Sequence, residues 1–234
     1  MPRRSLPKIR GNFDLTRFFI AMEPDFHDCD ATEDYPRTPY AELTNLSAEQ
    51  LNERLFGRIA PLELEIGSGK GMFLVNAATA RPDHNFLGIE IAYRYALLCG
   101  SKFAKRNLTN AVMFNADAAK LVRELIPDVA LCDVHIYFPD PWWKKAHRKR
   151  RIVRPDVIKT IEQKLQKGGR LHFWTDVQEY YLSGVEIIKL SSNLAGPFSV
   201  VERASANDMD FHTHFERRTR LNELPVYRSY FVKR

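Results

Sequence analysis

The stretch YFPDPWWKKAHRKRR, residues 137–151, sets one carboxylate, two tryptophans and a dense block of positive charge side by side. A solvated loop has no use for the tryptophans, and a core segment would not carry the arginines. Prolines on both sides of Asp140 restrict the backbone and present that carboxylate rigidly. Trp142 and Trp143 can wall a flat base. The cations Lys145, Arg148, Lys149, Arg150 and Arg151 suit a phosphate backbone, which they would track and neutralise. The competing readings are structural: tryptophans packed in the core, and a basic run that is only a solvated face or a localisation signal.

A second constellation is Glu65-Ile-Gly67-Ser-Gly69-Lys-Gly71. A phosphate loop of the form GxxxxGK[ST] needs Gly at 64 and Ser or Thr at 71, where the chain has Leu64 and Gly71. A dinucleotide fingerprint needs Gly or Ala at 72, which is Met72. Neither fits. Glu65 ahead of the loop would repel a pyrophosphate and suits a cationic ligand with an ammonium or a sulfonium. S-adenosylmethionine has both. Glu90, 19 residues beyond Gly71, stands where an acid accepts the two ribose hydroxyls. Asn115-Ala-Asp117 can bind an adenine amino group. Any one of these acids could be a turn former or a helix cap. Together with the glycine loop they point to a nucleoside ligand.

The elements that must position these residues follow from hydrophobic periodicity. LELEI (62–66), NFLGIE (85–90), AVMFN (111–115), DVHIYF (133–138) and RLHFWTD (170–176) read as strands. Helical patterns alternate with them over 72–80, 92–107, 118–125, 154–166 and 179–193, with Gly168-Gly169 expected to stop the fourth. FSVVERA (198–204) and VYRSYFVKR (226–234) close the chain as strands without a helical crossover. The expected fold is α/β: a doubly wound, mostly parallel, seven-stranded Rossmann-like sheet with an antiparallel C-terminal edge hairpin. Each acid above then lies at the carboxyl end of a strand, where such sheets bind ligands. Residues 1–60 read as an irregular extension with one short helix, opened by a Ser47–Gln50 capping box, and residues 61–234 as the main domain.

Composition narrows the function class. The chain has 234 residues, 44% hydrophobic and 27% charged, with no run approaching a membrane span and no secretory h-region near the start, so a cytoplasmic protein is expected. Three cysteines, none in a CxxC pair, argue against a disulfide framework or a zinc site, and no metal is expected. Of the net charge of +6, seven Lys/Arg and no acid fall between Lys144 and Arg154; without them the chain would be slightly negative. A local patch of this kind suggests a polyanion engaged at one place.

LEIGSGKG, LGIE, Asp117, FPDPWWKKAHRKRR, Thr175-Asp176 and Thr213-His-Phe-Glu216 resemble, in order, the motifs of the bacterial tRNA (guanine-N7-)-methyltransferases. The resemblance covers residues 62–234 and is most specific in PDPWxKxxHxKRR, which fits Pro139 to Arg151. It implies a class I methyltransferase fold, S-adenosylmethionine as methyl donor, and the guanine of the tRNA variable loop as substrate. It implies that Glu65, Gly67, Gly69, Glu90, Asp117 and Asp140 line the cofactor site, that Asp140 is the catalytic residue, and that Lys144, Asp176, Thr213, Phe215 and Glu216 contact the substrate. From the residues alone, Asp176 and Thr213 read first as helix caps. His214 departs from the family pattern, and the role of Trp143 stays open. The rival readings are an adenine amino-methyltransferase, which would use a Pro-Pro-aromatic turn at the same strand end, and an RNA-binding scaffold without chemistry. A monomer and a homodimer fit the sequence equally.

Overall fold

The computed structural model describes residues 14–21, 42–200 and 213–234. Eight strands, β1 (Phe19–Ala21), β2 (Leu62–Ile66), β3 (Asn85–Glu90), β4 (Ala111–Asn115), β5 (Leu131–Tyr137), β6 (Leu165–Thr175), β7 (Ala195–Ser199) and β8 (Tyr227–Val232), form one sheet in the order β1-β4-β3-β2-β5-β6-β8-β7. All neighbours are parallel except β8, which runs antiparallel to both β6 and β7. Strand order reverses between β2 and β5, and the crevice above that switch point is where open parallel sheets receive ligands.

The sheet divides two apolar layers. Leu62, Leu64 and Ile66 of β2 pack in the layer that holds α1 (Ala48–Phe56), α4 (Ala118–Glu124), α5 (Pro155–Lys164) and α6 (Gln178–Ser191). The other layer holds α2 (Met72–Ala80) and α3 (Tyr93–Arg106). A strand covered on both faces normally reads as a continuous apolar run. Here Glu63 and Glu65 take the positions that face the second layer, and both are buried. α7 (His214–Leu221) lies in the chain just before β8.

Among the described residues the sheet has eight strands, which corrects the expected seven. Phe19–Ala21 extends the sheet beyond β4, with Met113 N donating to Phe18 O at 2.9 Å. Three residues are too few to show a period of two, so burial of Leu15, Phe18 and Phe19 rather than alternation fixes this strand. α3 comes close enough here that a Cβ on Gly100 would lie 2.9 Å from Phe19 Cβ. The Ser47–Gln50 capping box forms as the sequence predicts.

Gly168-Gly169 does not end a helix. α5 stops at Lys164, and β6 begins at once, with a register shift against β5. Gly168 N donates to Lys233 O, and Gly169 O accepts from Lys233 N, so the glycines hook the C-terminal strand onto β6. The strand expected at 198–204 forms earlier, over Ala195–Ser199, and residues 201–204 lie outside the described residues. Cys99 is buried and Cys132 half-buried, both free; Cys29 lies outside the described residues. Among the described residues, no helix is long and apolar enough to cross a membrane.

Candidate active site

The loop after β2 reverses through Gly67, Gly69 and Gly71, with φ of 78°, 52° and 68°, a region that disfavours every residue with a Cβ. Gly67 N and Ser68 N donate to Ile89 O. A Cβ on Gly71 would lie 2.1 Å from Cys99 Sγ, so the loop can seat on α3 only with glycine there. Gly67 and Gly69 face open space instead, which lets a ligand approach the backbone.

Glu90 holds this loop from the next strand. One carboxylate oxygen accepts from Gly69 N and the other from Ala92 N, both at 2.9 Å. Burial raises its pKa; these backbone donors lower it, and the nearby Asp140 charge raises it again. Asn115, buried at the end of β4, donates to Glu90 O and Ile91 O and fixes the end of β3. Asp117 is exposed and caps α4, its Oδ1 accepting from Lys120 N.

The two glutamates of β2 make a controlled comparison. Glu63 accepts from Arg81 and pairs with His84 and His135. Burial alone would raise its pKa, but His135 and Arg81 overcome that and hold it at about 2. Cys132 also converges here, yet Arg81 already neutralises the carboxylate, and the cluster is a closed ion-pair network. Glu65, two residues on, is 3% exposed, and its Oε2 has no partner. Burial pushes its pKa up to about 8, with the Ser68 hydroxyl lowering it and the Glu90 charge raising it. A buried carboxylate oxygen with nothing to accept from is costly unless the group is protonated or meets a cation. Glu65 lies at the switch point beside open glycines. This donor set fits a ligand with an ammonium or a sulfonium, and S-adenosylmethionine has both.

β5 delivers the next group. Phe138 and Trp142 flank the Pro-Asp-Pro turn with φ of 50° and 41°, both in the left-handed region. Asp140 is exposed at the apex, close enough to Glu90 to act on its charge. Trp142 is half-buried, with the Arg150 guanidinium 5.2 Å from its ring centroid and the His147 ring edge-on at 5.8 Å. Trp143 is 58% exposed. Lys144, Lys149 and Arg150 are exposed along and beside the short 3-10 helix Lys145–Arg150. Lys145 and Arg148 occupy that helix. Arg151 turns inward: it is half-buried, and its Nε donates to Pro141 O at 2.7 Å.

The C-terminal residues approach from the hairpin side. Asp176 is exposed and caps nothing; Thr175 Oγ1 accepts from Val177 N instead, which corrects the capping expectation for Asp176. Thr213 does cap α7, its Oγ1 accepting from Glu216 N at 2.9 Å. Phe215 is 58% exposed, and its ring stacks on Phe138 at 6.2 Å, which brings α7 to the Asp140 turn. Glu216 is buried, with its Oε1 3.2 Å from Arg228 Nη2 and 3.6 Å from Arg220. Arg228 also lies over the Trp174 ring.

The sequence reading missed Phe138 and Arg228 as joints between turn, helix and hairpin. The signal for Arg228 was present: an arginine inside the alternating run VYRSYFV needs a partner on its own face of the sheet.

Comparison with known proteins places the chain in a family and agrees with its fold. Residues 59–229 match the family model described as "Putative methyltransferase". A tRNA (guanine-N(7)-)-methyltransferase of Rhodopirellula baltica is 47% identical over 81% of this chain and 72% of its own length. The protein of that name from Alcanivorax borkumensis is 41% identical over 71% and 70%. Among solved structures, the 16S rRNA methyltransferase KamB superposes with a TM-score of 0.56 at 13% identity, covering 79% of this chain and 93% of its own. A 16S rRNA adenine methyltransferase from Catenulisporales acidiphilia, solved with S-adenosylmethionine, gives 0.55 at 14% identity over 81% and 92%. At these identities the two structures speak for the fold alone.

Proposed function

Because the chain belongs to the tRNA (guanine-N7-)-methyltransferase family, we propose that it transfers a methyl group from S-adenosylmethionine to N7 of a guanine in the tRNA variable loop. The observation that carries the reading is Glu65 Oε2, buried, unpartnered and set at the switch point of the sheet. Glu65 would take the ammonium of the cofactor, Glu90 the ribose hydroxyls and Asp117 the adenine amino group, with the backbone of Gly67 and Gly69 in close approach. Bound there, S-adenosylmethionine supplies an electrophilic methyl group on a positively charged sulfur.

Guanine N7 carries its lone pair on the major-groove edge and needs no deprotonation. The protein therefore has to position the base and stabilise the charge that develops on it. Asp140 accepts hydrogen bonds from the guanine N1–H and amino group, which orients the base and enriches N7 in electron density. It is the catalytic residue without being a general base. Phe215 offers an exposed ring to the base, and Lys144, Asp176 and Thr213 border it. Glu216, buried against Arg228, acts at one remove by fixing the start of α7. Lys145, Arg148, Lys149 and Arg150 follow the phosphate backbone, and the reaction takes place in the cytoplasm, with the protein a monomer or a homodimer.

Nucleoside mass spectrometry of unmodified tRNA after incubation with protein and cofactor tests the proposal. The expected product is 7-methylguanosine, mapped by fragment analysis to the variable loop. A methylated adenine would favour the amino-methyltransferase, and no product together with no heat of cofactor binding would favour the scaffold. Asp140→Asn should lower the rate at saturating tRNA and cofactor; a rate near wild type refutes the role given to Asp140.

A further inference from the structure

Arg151 ends the run KKAHRKRR and is half-buried, where Lys149 and Arg150 are exposed. Its Nε donates to Pro141 O at 2.7 Å, one residue beyond Asp140. Its guanidinium carbon lies 4.8 Å from the ring centroid of Tyr180, a residue of α6 that is 1% exposed. The side chain therefore bridges the Pro-Asp-Pro turn to a rigid helix.

That turn needs holding. Phe138 and Trp142 both sit at positive φ, a conformation that bulky residues keep only when the surroundings enforce it. On the β5 side, Phe138 N donates to Trp174 O at 2.8 Å. On the far side, Arg151 grips Pro141. The two anchors bracket Asp140, whose own side chain is exposed.

We propose that Arg151 is a positioning residue, fixing Asp140 for methyl transfer, and not a phosphate contact. The inference rests on the catalytic reading of Asp140. Its chemistry is specific to arginine. The carbonyl bond uses the guanidinium N–H at Nε, while the carbon of the same group lies over the Tyr180 ring. Lysine would keep the charge but lacks the planar fork that makes both contacts at once.

Arg151→Lys and Arg151→Gln are compared with wild type and Asp140→Asn. Single-turnover rates at saturating tRNA are normalised to cofactor-binding sites counted by calorimetry, and tRNA Kd is measured across a salt series. Both Arg151 variants should lose about 100-fold in rate per site, the order expected for a misplacement near 1 Å. The tRNA Kd of Arg151→Lys should stay within about twofold and its salt slope unchanged. Ethylguanidinium should restore part of the rate of Arg151→Ala, and sodium chloride at equal ionic strength should not.

A side chain needed only for folding would lower the number of sites and leave the rate per site intact, which overturns the proposal. So does a wild-type rate in Arg151→Lys with weaker tRNA binding and a salt slope reduced by about one in Arg151→Gln. If Arg151→Gln does not fold, Arg151→Lys alone decides. A fast Asp140→Asn removes the catalytic reading itself, whereas a slow Asp140→Asn beside a fast Arg151→Lys removes only the positioning role.

Discussion

Glu65 makes cofactor binding a proton-linked event. Its carboxyl titrates at about 8 in the free protein, because burial disfavours the charge and Glu90 adds to the repulsion. A cation placed against it returns the pKa to the ordinary carboxylate range or below. S-adenosylmethionine therefore binds the ionised form, which makes up about 1% of the protein at pH 6, about 10% at pH 7 and half at pH 8. Affinity should rise about tenfold between pH 6 and pH 7, then level off near pH 8 as the amino group of the ligand, with a pKa near 8, loses its own proton. Calorimetry at pH 7 in two buffers of different ionisation enthalpy should report net release of about 0.8 proton per cofactor bound, about 0.9 from Glu65 less about 0.1 taken up by the ligand's amino group. Glu65→Gln should abolish the release and the rise in affinity between pH 6 and pH 7. S-adenosylhomocysteine keeps the ammonium but not the sulfonium, so equal proton release with it assigns the ammonium as the partner of Glu65. A Kd that is flat from pH 6 to pH 7, or heats that agree between buffers, refutes the reasoning.

Other parts of the site give sharper mechanical tests. Gly71→Ala places a Cβ 2.1 Å from Cys99 Sγ at a φ of 68°, and urea unfolding should show a loss of about 3 kcal/mol from overpacking plus backbone strain. Gly67→Ala meets nothing within 4 Å and should cost only about 1 kcal/mol of stability, while its methyl group takes the space of the ligand and weakens cofactor binding. Acid lability should begin below pH 6.5: burial holds His135 neutral with a pKa of about 4, so between 6.5 and 4 the unfolded chain binds the extra proton and stability falls with pH. Glu63, held at about 2, adds its own loss as pH drops from 4.5 through 2, and a urea midpoint that is constant from pH 7 to pH 5 would contradict the His135 part. Lys149→Glu with Arg150→Glu should raise the tRNA Kd and lower its salt slope by at least about two, with the rate at saturating tRNA little changed; an unaltered slope would remove both from the phosphate path.

What could be read from the chain was whatever a local pattern reports. The alternation in LELEI places β2 and turns both glutamates to one face, and Glu65, Glu90 and Asp117 stand at or just past successive strand ends. The alternation could not say that Glu63 would be paired and Glu65 left without a partner. That difference comes from Arg81, His84 and His135, which the fold brings to one glutamate and not to the other. β1 escaped notice because three residues carry no period. Gly168-Gly169 misled because the sequence marks a positive φ, here 81° at Gly168, without saying whether it ends a helix or bends a strand. The basic block shows the same limit at the site itself. A run of cations announces the sign of its partner and says nothing about direction. Lys149 and Arg150 face solvent, while Arg151, next in the chain, meets a carbonyl ten residues back and an aromatic ring on α6. Between Phe138 and Trp142 the turn leaves Asp140 exposed while Pro141 O accepts from Arg151. Arg151, read from the sequence as a phosphate contact like the other cations of the block, is thus held against the turn that carries Asp140.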